Sequence, residues 1–270
     1  MSAWKTVLAR GLATVGLERF GRSAWRRARS FGLRYQCPIC GAHLREFLPG
    51  GEPFAVLAEK AVVGGGRRSS VFCPVCRSWD RERLIYLFLL NRPNLLAKGT
   101  KLLHVSPEAG LGAWLRSQPG LAYVTADLTM PGVDFHLDLT SIPFPDSTFD
   151  AVICNHVFEH IPDDARAMAE IFRVLRPGAW AILQVPVSLT LPATFEDFSV
   201  TDAAARQLVF GQHDHVRMYA MDYLDRLRGA GFSLAPFRWR DNPKTYGGQH
   251  NRFGLLEREI VFFASRPSTS

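Results

Sequence analysis

The chain has 270 residues and a formal net charge of +7. With roughly 100–200 residues per domain, this leaves room for one full α/β domain and a smaller appendage. Apolar residues make up 47% and charged residues 21%, which excludes wholesale disorder and a fibrous fold. The longest apolar runs, such as Leu84–Leu90 and Ala179–Leu183, fall far short of the roughly 18–20 residues that a membrane-spanning helix needs.

The positive charge sits at the start of the chain. Residues 1–35 hold Lys5, Arg10, Arg19, Arg22, Arg26, Arg27, Arg29 and Arg34 against Glu18 alone, and the remainder is balanced. Trp4, Val7, Leu8, Leu12 and Val15 recur near helical spacing, so residues 1–35 read as a basic amphipathic arm. Such an arm docks on the protein's own body, on an anionic membrane surface or on RNA. The apolar stretch is short and interrupted by Arg10, which speaks against a secretory signal and for a cytoplasmic protein, with peripheral membrane attachment through the arm one of the three options.

Residues 36–80 carry two copies of one knuckle, Cys37-Pro-Ile-Cys40 and Cys73-Pro-Val-Cys76. Each places two thiolates on a tight turn, and together they offer a tetrahedral sulfur site suited to structural Zn2+. A small zinc-ribbon module is therefore expected, with residues 41–72 as the excursion between knuckles. Cys154 stands apart in an apolar run and reads as packing.

From residue 81 to 270 strands and helices alternate, which predicts a parallel sheet wound with helices. Leu102–Val105 reads as a first strand, followed by the turn Ser106-Pro107-Glu108-Ala109-Gly110 and a helix through Trp114. Ala122–Ala126 is a second strand ending at Asp127, where a carboxylate can accept both hydrogen bonds of a ribose diol. Phe149–Asn155 is a further strand, and Asp163–Leu175 a helix with an acidic start and the stop Arg176-Pro177-Gly178. The strand Ala179–Val185 follows. Residues 186–215, rich in Pro, Thr, Asp and Glu, read as a lid or insertion that shapes specificity.

The run from Asp138 through Ile142-Pro-Phe-Pro-Asp146, Phe149-Asp-Ala-Val-Ile, Val157-Phe-Glu-His160-Ile-Pro-Asp163 and Glu170-Ile-Phe-Arg-Val-Leu-Arg-Pro-Gly178 resembles the type 11 branch of class I S-adenosylmethionine (SAM)-dependent methyltransferases. The segments Asp214–Tyr219 and Tyr223–Phe232 are similar to that branch's closing part. The resemblance implies a Rossmann-like class I methyltransferase sheet with helices on both faces, and SAM as cofactor. It implies that Asp127 with Leu128 binds the SAM ribose, that Asp138 and Leu139 flank the adenine, and that Asn155 sits beside the methionine end. The family's glycine-rich first loop is here His104, Ser106, Glu108 and Gly110, with two glycines and the leading carboxylate gone; Glu108 is a candidate partner for the SAM ammonium.

If the acceptor is a hydroxyl, its proton needs a base, for which His160 and His215 lead and His156 and His213 follow. Glu159, Arg217, Tyr219 and Arg252 are candidate substrate contacts. The resemblance, with the balanced charge of the core, implies methyl transfer to a small-molecule or saccharide-type acceptor, as O-methylation; RNA methylation and a non-catalytic binding module are the alternatives.

Overall fold

The computed structural model describes residues 24–268; the apolar stripe Trp4–Val15 of the arm lies outside them. Seven strands form the central sheet: β1 Lys101–Val105, β2 Ala122–Asp127, β3 Phe135–His136, β4 Phe149–Asn155, β5 Leu175–Gln184, β6 Ser233–Leu234 and β7 Phe263–Ser265. Their spatial order is β6-β7-β5-β4-β1-β2-β3. β1 to β5 run parallel, while β7 pairs antiparallel with both β5 and β6. The sheet is therefore mixed at one edge.

The apolar runs in β1, β4 and β5 follow from burial on both faces. Leu103, Val105, Val152, Cys154, Ala181 and Leu183 point into one core, and Leu102, Ala151, Ile153, Trp180 and Ile182 into the other. This is the period of two that a pleated strand imposes. Among the covering helices are α1 Asp80–Leu90, α2 Ala109–Arg116, α3 Asp164–Val174, α4 Ala203–Phe210 and α5 Tyr223–Gly229. In α3, Asp163 caps the first turn by accepting from the Arg166 amide at 2.9 Å, and Met168, Ile171 and Val174 are fully buried. Burying each such side chain stabilises by about 2 kcal/mol. Leu175-Arg-Pro-Gly178 ends the helix as expected but already belongs to β5, across a register irregularity. Among the described residues no helix is long and apolar enough to cross a membrane.

Before the sheet, Tyr35–Gln36 pairs with His43–Leu44 and Leu48–Gly50 with Arg68–Phe72. Cys37, Ala42, Leu44, Phe47, Cys73 and Val75 form their small core. The stretch between the knuckles reaches the main body. Val62–Val63 pairs with Val187–Ser188 just beyond β5, and Val63 enters the main core. The short helix Ala55–Glu59 packs through Leu57 on Phe210 of α4. Residues 186–215 thus do not hang free over the sheet; they are joined to the inter-knuckle stretch.

Candidate functional site

A cleft of about 370 Å³ opens where β1, β2 and β4 end, within the range of small-ligand sites. It is lined by Ser106, Asp127, Leu128, Leu137, Asp138, Leu139, His156 and His160, with Asp214 at one side. Ser106 follows β1 in the left-handed region, at φ +48°, which turns its hydroxyl to donate to Asp127 Oδ2. Asp127 Oδ1 accepts from the amides of Thr129 and Met130 at 2.8 and 2.7 Å. Burial raises the Asp127 carboxyl, but the Ser106 hydroxyl and the two amides outweigh it and hold the group below its usual range. Asp138 is exposed and caps its own turn through Thr140; Leu137 and Leu139 beside it are buried, and Leu128 is open to solvent.

The remaining first-loop residues lie beneath the cleft. His104 is fully buried, with Nδ1 2.9 Å from Tyr123 Oη and Nε2 3.0 Å from Glu108 Oε2. Asn155 Nδ2 donates to Glu108 Oε1 at 3.1 Å, while Asn155 Oδ1 has no partner. Burial raises the Glu108 carboxyl, yet the bond and charge of His104, then Arg81, bring it net below its ordinary value. Gly110 faces away from the cleft. A Cβ there would lie 2.9 Å from both Glu82 Oε2 and Ser78 Cβ, so glycine at this position serves close packing of α2 on the second knuckle. Glu82 accepts from the amides of Trp79 at 2.8 Å and Leu111 at 3.0 Å, capping α1 and α2 at once.

Histidines gather on the other side. His156, at φ +55°, is half-buried; desolvation holds its imidazole well below the ordinary value, and Nε2 has no partner. His160 Nδ1 is 3.2 Å from Asp214 Oδ2, and its ring meets that of His215 edge-on at 4.8 Å between centroids. Burial, then neighbouring His160, brings His215 down to about 3. Glu159 is 1% exposed, neither carboxylate oxygen makes a hydrogen bond, and burial pushes it up to about 7. Gly64 of the inter-knuckle stretch packs against His156: a Cβ there would lie 3.2 Å from His156 Cε1.

Glu259 lies beside Gly64 and accepts from Gln184 Nε2 at 3.3 Å. Burial, then the charge of Asp80, pushes its carboxyl up to about 8 from 4.5. Between those values the folded chain holds a proton that the unfolded chain has lost. Stability contributed by the protonated form is thus present in full below 4.5 and lost as pH rises toward 8. Glu259→Gln is expected to flatten that decline, worth up to about 4 kcal/mol, in denaturant titrations at pH 5 and pH 8. A decline of unchanged steepness would disprove the assignment.

Three residues expected at the substrate are engaged elsewhere. Arg217 is 1% exposed and donates to the carbonyls of Phe158 and Pro162 at 2.7 and 2.8 Å and to Glu196 at 3.1 Å. Tyr219 is fully buried and donates to Asp164 Oδ2 at 2.6 Å. Arg252 donates to Gln36 Oε1, while the Gln36 amide donates to the Arg252 carbonyl at 2.8 Å, tying residues 35–36 to the C-terminal loop. Asp214, which sequence reasoning passed over, lines the cleft; its position between His213 and His215 was the available signal.

The two knuckles superpose in their bonding. Cys37 N donates to Ala42 O and Gly41 N to Cys37 O, and Cys73 N to Ser78 O and Arg77 N to Cys73 O, all at 2.9 Å. All five cysteines are free thiols. Cys37 and Cys76 sulfurs are 3.7 Å apart, Cys40 and Cys73 sulfurs 3.8 Å. Four thiolates about 2.3 Å from a tetrahedral ion would lie about 3.8 Å from one another, so the donor set fits zinc.

Residues 116–183 match the family described as "Methyltransferase domain". The chain is similar to a Mycolicibacterium smegmatis protein named "Probable S-adenosylmethionine-dependent methyltransferase", 33% identical over 41% of this chain and 46% of that one. It is also similar to the phthiotriol/phenolphthiotriol dimycocerosates methyltransferase of Mycobacterium tuberculosis, 34% identical over 30% of this chain and 29% of that one. The chain spans less than half the length of these curated relatives. Among solved structures it resembles a Haemonchus contortus phosphoethanolamine N-methyltransferase in complex with SAM, at TM-score 0.46 and 16% identity, covering 71% of this chain and 53% of that one. Residues 116–183 are thus similar to a methyltransferase domain, and they supply β2, β3, β4 and most of β5 of the central sheet.

Proposed function

We propose that this chain is a SAM-dependent methyltransferase acting on the hydroxyl of a small-molecule or saccharide-type acceptor, with a structural zinc held by Cys37, Cys40, Cys73 and Cys76. The observation that carries the reading is the cleft in which Asp127 and Asp138 stand at the ends of neighbouring strands, with His156 and His160 across from them. SAM supplies a sulfonium-bound methyl group, an already activated electrophile, so the protein's work is mainly alignment. Asp127 accepts from the ribose hydroxyls, for which Ser106 can yield its place. Leu128, Leu137 and Leu139 cover a flat base, and Asp138 accepts from its amine. Glu108, bonded to Asn155 and His104, carries the negative charge nearest the first loop and attracts the ammonium end. The acceptor's proton leaves toward the histidine cluster. A small acceptor suits the charge balance beyond residue 35 and the relatives named for such acceptors, the phthiotriol enzyme among them.

The buried guanidinium of Arg83 suits the zinc assignment. Burial lowers its pKa, and the groups that raise it again are Asp80 and the cysteine sulfurs, so it offsets the negative charge of a four-thiolate centre.

Calorimetry of the zinc-loaded chain with SAM tests the reading: low-micromolar affinity is expected, weakened at least about tenfold in Asp127→Ala, the loss of one charge-assisted hydrogen bond. Wild-type chain that binds no SAM would leave a non-catalytic module. A second reading, methylation of RNA, draws on the exposed Arg26, Arg27 and Arg29 ahead of the first knuckle. Strongly salt-dependent RNA binding that disappears with residues 1–35 would favour it.

A further inference from the structure

The cluster past β4 holds more ligating atoms than the acceptance of one proton requires. Glu159, His160 and His215 each present a donor atom, and these three atoms lie within 4.8 Å of one another. They converge from two segments: Glu159 and His160 from the 3-10 turn Phe158–His160, and His215 from the residues just before Arg217, held there by the Val216 amide donating to the Glu159 carbonyl at 2.9 Å.

Two independent features point to a cation. The Glu159 side chain is 1% exposed with both oxygens unpartnered; His156 Nδ1, 3.4 Å from Oε1, is the nearby polar atom and is outside hydrogen-bonding geometry. A buried carboxylate without a partner costs several kcal/mol, and a bound cation removes that cost. Second, Asp214 Oδ2 lies 3.2 Å from His160 Nδ1, so a carboxylate faces that nitrogen and Nε2 is the one left for a ligand; metal-binding imidazoles commonly have a carboxylate at the other ring nitrogen. No hydrogen bond engages the His215 ring among the described residues.

We infer that Glu159, His160 and His215 form a site for a divalent transition-metal ion, distinct from the cysteine site and open toward the cleft that His160 lines. Two imidazoles and one carboxylate suit Mn2+, Fe2+, Co2+ or Zn2+ and leave coordination positions free. Those positions would take an oxygen of the acceptor, which narrows the substrate class to molecules that present a metal-binding hydroxyl, such as a vicinal diol or a hydroxyl beside a carbonyl. The choice of acceptor rests on the methyltransferase reading; the metal site itself does not.

The test is equilibrium dialysis of the full chain, its cysteine site filled with zinc, against Co2+, with both metals counted in the retained protein. One cobalt per chain beyond the zinc is expected. Glu159→Gln and His160→Asn should each abolish its retention, with unchanged zinc content and thermal midpoint confirming that the variants fold. Asp214→Asn, which keeps all three ligands, should weaken cobalt binding about 10–100-fold. Wild-type chain that retains no cobalt, or variants that retain as much as wild type, would overturn the proposal. SAM calorimetry on the same samples separates the two readings, since it reports on the cleft whether or not cobalt binds.

Discussion

Arg83→Leu is expected to destabilise the chain by about 4 kcal/mol, lowering the thermal midpoint by on the order of 10 °C. Arg83 is completely buried in α1 and donates to Val71 O and Ser78 O at 2.8 and 3.1 Å, to Phe253 O at 2.8 Å and to Gly254 O at 2.7 Å. Its guanidinium also lies 3.8 Å from the centre of the Phe47 ring. One side chain thereby binds the first knuckle's core, the approach to the second knuckle and the C-terminal loop. Leucine fills part of the volume but removes the guanidinium donor from four carbonyls; Ser78 O keeps the Cys73 amide, and each of the other three lost bonds costs about 1 kcal/mol or more. Lysine would restore the charge but not the planar fork, and most of the loss should persist. A change below about 1 kcal/mol in denaturant titration would show that these bonds contribute little.

Removing the zinc proposed at the cysteine site should have a comparable or larger effect. Binding at such sites is worth about 10–16 kcal/mol near neutral pH, and the small core around Cys37 and Cys73 is too limited to stay folded without it. Chelation, or Cys73→Ser, is expected to collapse hydrogen-exchange protection over residues 36–80. The loss should extend to the start of α2, because Glu82 caps both α1 and α2 from a position just after the second knuckle. SAM affinity should fall with it, as the first loop loses its anchor. If exchange rates over residues 36–80 were the same with and without chelator, the cysteines would have no structural metal to lose.

The parts of this architecture legible in the sequence are those written locally. Continuous apolar runs identify β1, β4 and β5 because both faces of each are buried, and Asp163 marks the start of α3 because its carboxylate bonds the Arg166 amide three residues on. The cysteine pairs are legible for the same reason: each knuckle is a single turn. Asp127 and Asp138 stand at strand ends, where a parallel sheet puts its ligands. What escapes is long-range. Arg217, Tyr219 and Arg252 look like surface chemistry in the chain, but their partners lie 21 to 216 positions away, and no periodicity announces such pairs. The two-residue ladder between Val62–Val63 and Val187–Ser188 is too short for an alternating pattern. The first loop's missing glycines proved uninformative in isolation, since the glycine that remains, Gly110, answers to Ser78 and Glu82 rather than to a ligand.

That short ladder also bears on attempts to recombine this chain with the proteins it resembles. Because Gly64 backs His156 and Val62–Val63 is zipped to the segment leaving β5, the stretch between the cysteine pairs travels with the cleft's surroundings, not with the cysteine cluster. A chimera that imported a foreign cysteine-bearing segment alone would import a neighbour of His156 mismatched to residues 187–188. Only a joint exchange of both pieces preserves the seam.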